Sequence, residues 1–291
     1  MKRAALVLAA VLAAPAWLSA QTTVDQKRPA SADGTVRIEN MAGSVKVTGW
    51  DRAEVQVKGS VGGGGELSFE SNGKRTRIEI ESEHNPMGVK SDLDIYVPAA
   101  SSLDIEGFQA TISVSGVTGS VKAETVNGSI TQAGAAKHVE LQSVNGSVDV
   151  TKAGGRVKAE SVNGGVALHD VSGDLEASTV NGKLLVLGGS FERAELESVS
   201  GGVQFDAALG ARATLSINTV SGGVDVALAA GVGADFAVSS FSGRITNELG
   251  PSATKSSKWT PQSELSFTTG AGGARVKIET LSGPINIRKQ P

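Results

Sequence analysis

The feature that most constrains this fold is a stretch of eight residues that the chain repeats every 18 residues. It reads Val-Lys-Ala-Glu-Thr-Val-Asn-Gly from Val121, and the next three copies begin at Val139, Val157 and Leu175. A fixed period of this length is typical of stacked repeats, in which each copy buries its apolar face against its neighbours. Altered copies that end in Ser-Gly, and two earlier relatives, begin at Ala194, Leu215, Phe236, Val276, Val36 and Leu103.

Counting each repeat from its first apolar residue predicts which side chains point inward. Positions 1, 3 and 10 are apolar in the copies, which indicates two short strands with an inward face. The residue at position 8 lies between these strands, where glycine permits a positive φ as the chain turns a corner. We therefore expect positions 7 and 8 to form stacked corners: Asn127 and Gly128, Asn145 and Gly146, Asn163 and Gly164, Asn181 and Gly182, Ser200 and Gly201, Ser221 and Gly222, Ser242 and Gly243, and Ser282 and Gly283.

Two architectures can use a strand, an Asn-Gly corner and a second strand. One is a chain of antiparallel hairpins, for which Asn-Gly is the strongest short signal. The other is a β-solenoid, in which equal positions of successive coils lie about 4.8 Å apart in parallel sheets. Position 2 favours the solenoid because its charge alternates, which would give an outer-face ladder of opposite charges. The ladder residues are Lys122, Glu140, Lys158 and Glu176, although the next copy, Glu195, breaks the alternation.

The position 7 asparagines favour the same architecture, since stacked amides form ladders. We therefore predict an all-β protein, a single-stranded parallel β-solenoid with about 18 to 21 residues per coil. Residues 36–102 would form an irregular β region that caps one end, and residues 103–291 would form the coils. Residues 21–35 are polar and are expected to be a flexible leader, and residues 251–275, which include Trp259, are expected to be an insertion.

Residues 1–20 have the layout of a secretory signal peptide: a basic start, a short apolar run and a small residue at Ala20. The apolar run is shorter than the roughly 20 residues that a bilayer span needs. We expect a mature chain without a membrane span, in the periplasm or outside the cell. Without Lys2 and Arg3, the formal net charge changes from −3 to −5 (−3 − 2). This acidic balance disfavours nucleic acid as a partner.

Catalytic and metal sites are not indicated by the sequence. The chain has no cysteine, which excludes thiolate chemistry. His84, His138 and His169 fall at unrelated repeat positions, so we expect no metal and no cofactor. Asp149 and Asp225 share position 11, but uncharged residues separate them in the repeats between, so the paired carboxylates of a polysaccharide-active β-helix enzyme are not expected.

A resemblance to a known family rests on three features of the chain. Strands that end in Val-Pro, as at Ile95 to Pro98, lead into the Asn-Gly and Ser-Gly coils, and the chain closes with Gly-Ala-Gly-Gly-Ala-Arg-Val-Lys-Ile-Glu-Thr-Leu-Ser-Gly-Pro-Ile-Asn-Ile. The set resembles the bacterial β-strand-repeat proteins classed as adhesins, a family of unknown function, over most of residues 36–288. The resemblance implies an exported, right-handed, β-helix-like solenoid and brings no catalytic residues with it.

Together these observations predict an exported, non-catalytic, adhesin-like structural or interaction module of the cell envelope. Its partner would be a glycan or an envelope protein, contacted through repeated columns of side chains. Two alternatives stay open from the sequence. One is an envelope-stress or signalling accessory protein that binds a membrane partner, and the other is a polysaccharide-active β-helix enzyme. The oligomeric state is left open.

Overall fold

A computed structural model describes residues 21–82, 88–229, 231–255 and 262–290 of the protein. The expected signal peptide, His84 and Trp259 lie outside the described residues. The secondary structure of the described residues is β, apart from a single 3₁₀ residue at Gly88, which confirms the all-β prediction. The strands are β1 (Thr22–Trp50), β2 (Glu54–Val61), β3 (Glu66–Ser71), β4 (Gly73–Glu81), β5 (Ser91–Pro98), β6 (Ser102–Ser115), β7 (Ser120–Thr125), β8 (Ile130–Ala133), β9 (His138–Ser143), β10 (Val148–Thr151), β11 (Arg156–Ser161), β12 (Val166–His169), β13 (Ser172–Thr179), β14 (Leu184–Ser198), β15 (Val203–Ser221), β16 (Val224–Leu228), β17 (Ala234–Ser240), β18 (Ile245–Asn247), β19 (Thr254–Lys255), β20 (Ser263–Thr269), β21 (Ala274–Ser282) and β22 (Ile285–Lys289).

The repeats stack as coils whose equal positions pair in parallel. Val139 of β9 pairs with Val121 of β7 on one side and with Val157 of β11 on the other. The position 10 strands form a second parallel set, in which β10 lies between β8 and β12. This parallel register is that of a solenoid-like stack, and it excludes the chain of hairpins for these repeats.

The inward residues of each coil form one continuous core. Positions 1 and 3 of the repeats are buried, and so are the position 10 residues such as Ile130. Position 3 is alanine or a larger aliphatic residue, as at Ala123, Leu141 and Ala159, and it is buried in each coil. This core has few aromatic residues, and Phe191 and Phe205 fill it with ring centroids 5.9 Å apart where the coils lengthen. Burial of the aliphatic columns is the main force that holds the coils together.

The order of the coils in space differs from their order in the sequence at both ends. Val276 of β21 pairs with Leu215 of β15 on one side and with Phe236 of β17 on the other. The last coil of the chain therefore lies between two earlier coils. At the opposite end, β1 is likewise inserted between β4 and β6. The long step from Phe236 to Val276 is the return path that this insertion requires.

Antiparallel strands cover the coils at the two ends of the stack. At the C-terminal end, β20 from the expected insertion pairs antiparallel with β17, and the rings of Phe236 and Phe267 stack with centroids 4.4 Å apart. At the N-terminal end, β3 pairs antiparallel with β4, and β2 with β5. These strands occupy hydrogen-bonding positions that would otherwise be open sheet edges.

The prediction of a flexible leader over residues 21–35 is wrong. Residues 22–29 pair antiparallel with β2, and residues 35–39 pair in parallel with β4 and β6. Val24 and Ala30 are the buried apolar residues of this segment, too few to give a strand pattern in the sequence. Backbone hydrogen bonds to the edge of β2 hold this segment as a strand. Such bonds do not require apolar side chains, so polar side chains that face water are compatible with them.

Candidate functional site

A column of buried hydroxyl groups fixes the corner of each coil. Position 5 is Ser or Thr in every copy from Thr125 to Thr280, and these side chains are buried. The hydroxyl of Ser161 donates to the carbonyl oxygen of Gly146 in the preceding coil at 2.8 Å. It also accepts from the backbone N–H of Gly164 in its own coil at 2.9 Å. Sequence reasoning missed this column, although the invariance of position 5 among the copies was visible.

The glycines at position 8 are required by a close approach of backbones, not by a positive φ. From Gly128 to Gly243 none of them has a positive φ, so the predicted reason is wrong. A Cβ at Gly164 would lie 2.1 Å from the carbonyl oxygen of Gly146, and one at Gly182 would lie 2.0 Å from that of Gly164. Stacked corners bring the backbones of successive coils so close that no side chain fits between them.

The position 7 asparagines form a hydrogen-bonded ladder on the surface. The side-chain amide of Asn145 donates to Asn127 at 2.8 Å, that of Asn163 to Asn145 at 2.7 Å, and that of Asn181 to Asn163 at 2.8 Å. The serines that follow at this position are too short to continue the same bonds between side chains. The ladder spans four coils.

The charged residues of position 2 lie in register, but the two lysines form their ion pairs along the strand. Lys122 pairs across the sheet with Glu140, as the sequence predicted. The shorter contact of its Nζ is to Glu124 of the same strand, at 2.8 Å. The hydrogen bond to Glu124, followed by the charge of that carboxylate, raises the pKa of Lys122. Lys158 pairs with Glu160 in the same way, at 3.2 Å.

Position 6 forms an apolar stripe along the length of the stack, which is half-buried at Met41, Phe108 and Val126 and exposed from Val144 onward. Val162 is 40% exposed, and the exposure rises to 54% at Leu281 and 53% at Phe241. The inserted last coil completes the stripe, because it places Leu281 between Val220 and Phe241. At about 4.8 Å per coil the stripe is about 40 Å long. In spatial order it consists of Met41, Phe108, Val126, Val144, Val162, Val180, Val199, Val220, Leu281 and Phe241.

A groove of about 760 Å³ runs beside this stripe from Glu106 to Val220. The valines of position 6 form one wall, the hydroxyl column lies at its base, and the polar residues of position 4 form the other wall. Three of the glutamates on that wall have cationic partners: Glu106 binds Arg37 at 2.8 Å, and Glu124 and Glu160 bind the lysines named above. The groove is thus aliphatic on one side and polar with largely compensated charge on the other. Its position 4 wall consists of Glu106, Glu124, Gln142, Glu160, Ser178, Glu197 and Asn218.

The histidines and aspartates considered in the sequence that the structure describes do not form a reactive cluster. His138 is exposed and His169 is half-buried. Among the described residues, no group of three or more His, Cys, Asp or Glu side chains is placed to hold a metal ion. Asp225 binds Arg288 at 2.7 Å, and Arg288 also reaches Asp206 at 3.3 Å. This cluster fastens the inserted last coil to β16 and β15, which lie on one side of it.

No helix that could span a membrane occurs in the parts of the chain that the structure describes.

The fold and the groove define a β-rich, solenoid-like repeat protein with a lengthwise surface groove. The chain belongs to the Toastrack family, DUF4097, whose sequence profile matches residues 30–288. Membership confirms the resemblance to the adhesin-like family of unknown function.

Two solved structures are similar to the chain at low sequence identity. A protein of Parabacteroides merdae ATCC 43184, described as "a putative adhesin", matches with a TM-score of 0.51 and 8% identity, over 93% of this chain and 96% of its own. A protein of Clostridium sporogenes ATCC 15579, described as "a putative cell adhesion protein", matches with a TM-score of 0.20 and 10% identity, over 92% of this chain and 100% of its own. The first shows a shared fold, and the second is too dissimilar in structure to bear on it. No curated protein matches the chain.

Proposed function

We propose that this protein is an exported, non-catalytic, adhesin-like interaction module of the cell envelope. Its ligand would lie along the groove as an extended protein segment with apolar side chains. The observation that carries the proposal is the exposed apolar stripe of position 6, which continues across the coils without a polar interruption. A contiguous apolar surface of this extent is typical of an interaction site. The right-handed sense of the coils, expected from the resemblance, is part of the proposal.

The chemistry of the groove favours a protein segment over a glycan. The wall of the stripe is aliphatic over Val126 to Val220, and methyl groups offer no hydrogen bonds to sugar hydroxyls, which would lose their water. The opposite wall offers Gln142, Ser178 and Asn218, which can bond the polar backbone or side chains of an extended segment. Since the strands below the groove are already paired on both sides, the segment would bind through side chains and not as an added strand.

The test uses the mature protein and two variants that place the same charge on opposite faces. Val162→Asp puts a carboxylate into the middle of the stripe, where the side chain is exposed and the core is untouched. Leu185→Asp is the matched control, because Leu185 faces outward from the other sheet between Ala167 and Gln204. Each immobilised protein is incubated with a solubilised envelope fraction of the source bacterium and, in parallel, with a glycan array.

The proposal expects one set of envelope proteins to be retained by the wild type and by Leu185→Asp and to be lost with Val162→Asp. If that set is one defined membrane protein, the protein acts as an envelope accessory protein through the same groove. Equal retention by Val162→Asp, or no retention by the wild type, would contradict the proposed site. Glycan binding that Val162→Asp removes would show that the ligand is a saccharide and that the protein segment is wrong.

A further inference from the structure

A second cavity, at the N-terminal end of the stack, is lined by four arginines. It has a volume of about 770 Å³ and lies between the beginning of β1 and the hairpin of β3 and β4. Its four cations stand against two carboxylates, so its lining is net positive in a chain whose net charge is −3. We call it the arginine cavity, and its charged residues are Arg28, Arg37, Arg75, Arg77, Glu70 and Asp104.

Two of these arginines form ion pairs with carboxylates of the protein and stabilise the packing of its strands. Arg37 binds Glu39 at 2.8 Å and Asp104 at 3.2 Å, which ties β1 to β6. Arg77 binds Glu39 at 3.1 Å and Glu79 at 2.8 Å. These hydrogen bonds and charges raise the pKa of both guanidinium groups. Their charge is therefore already matched by the protein.

The other two arginines have no ion pair among the described residues. The guanidinium of Arg28 lies over the ring of Phe69, 5.2 Å from its centroid, and donates only to neutral oxygens of neighbouring residues. The backbone of Arg75 is fixed by pairing with Thr35 and by a 2.8 Å hydrogen bond from its N–H to Asn72. Both arginines line the cavity without a carboxylate partner, Arg28 with its guanidinium placed over Phe69 and Arg75 on a strand whose backbone is fixed.

We propose that the arginine cavity binds the anionic group of an acidic saccharide, either a uronic acid or a sugar phosphate. The planar fork of a guanidinium matches the oxygen pairs of both carboxylate and phosphate. The remaining wall offers the hydroxyl of Thr35 and the side-chain N–H groups of Asn72, which suit the hydroxyls of a sugar, whereas the hydroxyl of Ser71 is already bonded within the protein. The cavity volume is in the range of pockets that enclose a small ligand. This site is separate from the groove and does not depend on the function proposed for it.

The test is a calorimetric and NMR titration of the mature protein with single small molecules. The probes are glucuronate and glucose 1-phosphate, with glucose, inorganic phosphate and phosphoserine for comparison. Arg75→Gln and Arg28→Gln each remove one unmatched cation. Lys74→Gln is the control, because it removes the same charge from the adjacent exposed residue, which does not line the cavity. The thermal unfolding of each variant shows whether it is folded.

We expect glucuronate or glucose 1-phosphate to bind. The probe that binds more tightly shows whether the cavity prefers a carboxylate or a phosphate. Each arginine variant should weaken this binding by about tenfold or more, as expected for loss of a charge-assisted pair, and Lys74→Gln should not. The proposal would be overturned if neither acidic sugar binds. It would also be overturned if folded Arg75→Gln and Arg28→Gln bind the acidic sugar as tightly as the wild type does. Binding of inorganic phosphate or phosphoserine as tight as that of the acidic sugars would overturn the assignment to a saccharide.

Discussion

The hydroxyl of Ser161 and the carbonyl oxygen of Gly146, 18 residues apart in the chain, are joined by a hydrogen bond of 2.8 Å. The same hydroxyl accepts from the N–H of Gly164, so one buried group satisfies two backbone groups at the corner. Equivalent bonds from Ser143 and Thr179 repeat the arrangement in the neighbouring coils. The corner can therefore combine a backbone approach too close for a side chain with satisfied hydrogen bonds.

We predict that Ser161→Ala lowers the free energy of unfolding by about 1–3 kcal/mol, because it leaves a buried N–H and a buried carbonyl without their partner. Ser161→Thr keeps the hydroxyl, as Thr179 does in the next coil, and should change the stability by less than about 1 kcal/mol. Urea unfolding followed by circular dichroism measures both. If Ser161→Ala unfolds at the same urea concentration as the wild type, the hydroxyl column does not stabilise the corners.

A second prediction concerns the glycine of the same corner. Gly164→Ala would place a Cβ 2.1 Å from the carbonyl oxygen of Gly146, so the two coils must separate. The cost of such overpacking is about 1–3 kcal/mol and sometimes more.

Gly154→Ala is the matched control for that substitution, since a Cβ there has no atom within 4 Å. It should be neutral to within about 0.5 kcal/mol. The two variants are compared by their midpoints of thermal and urea unfolding. Equal midpoints for Gly164→Ala and Gly154→Ala would show that the close approach of the backbones is not what requires glycine.

The sequence predicted the stacking but not the reason for its corners. The period of 18 residues and the apolar positions 1, 3 and 10 were sufficient to predict parallel coils with one core. They do not report how far apart two backbones lie, so Gly146 was assigned a positive φ that it does not have. The exposure of the valines at position 6 was not predicted either. An apolar residue in a regular period gives the same sequence pattern whether its side chain points into the core or out at a corner.

The repeat period also does not predict the order of the coils in space. A coil that begins at Val276 has the same pattern whether it lies outside or inside the coil that begins at Phe236. Its place depends on the return path and on side chains that meet only after folding, such as Arg288 and Asp225. The place of Leu281 at the end of the apolar stripe and the arginine cavity both depend on these insertions, which is why neither could be predicted from the repeats alone.

We predict that the loss of stability on substituting an asparagine of the ladder depends on its position within the ladder. Asn163 donates to Asn145 and accepts from Asn181, whereas Asn127 only accepts from Asn145. Asn163→Ala removes two hydrogen bonds and Asn127→Ala removes one, and each such bond contributes about 1 kcal/mol or less on an exposed face. Asn163→Ala should therefore destabilise the protein about twice as much as Asn127→Ala in urea unfolding. A larger loss with Asn127→Ala would contradict a ladder of additive bonds.

The last prediction concerns Arg288, which fastens the inserted coil to β16 and β15 on one side of it. It binds Asp225 at 2.7 Å and Asp206 at 3.3 Å. The hydrogen bond to Asp225 is the main cause that raises the pKa of Arg288. A raised pKa of a cation gives stability that is present below the unfolded pKa and is lost only as the pH rises through the folded value. For an arginine both values are far above neutral, so the cation contributes fully at ordinary pH.

We therefore expect salt, and not mild alkali, to weaken the contribution of this cluster. Arg288→Gln should lower the stability by less than about 1 kcal/mol, because the three side chains are partly exposed, and the loss should shrink in 1 M salt. Hydrogen exchange of the amides of Ile285 and Ile287 should become faster, since they lie in the strand that the cluster fastens. Lys289→Gln, one residue further along β22, is the control, and equal acceleration by both variants would show that Arg288 has no special part in holding the last coil against β16.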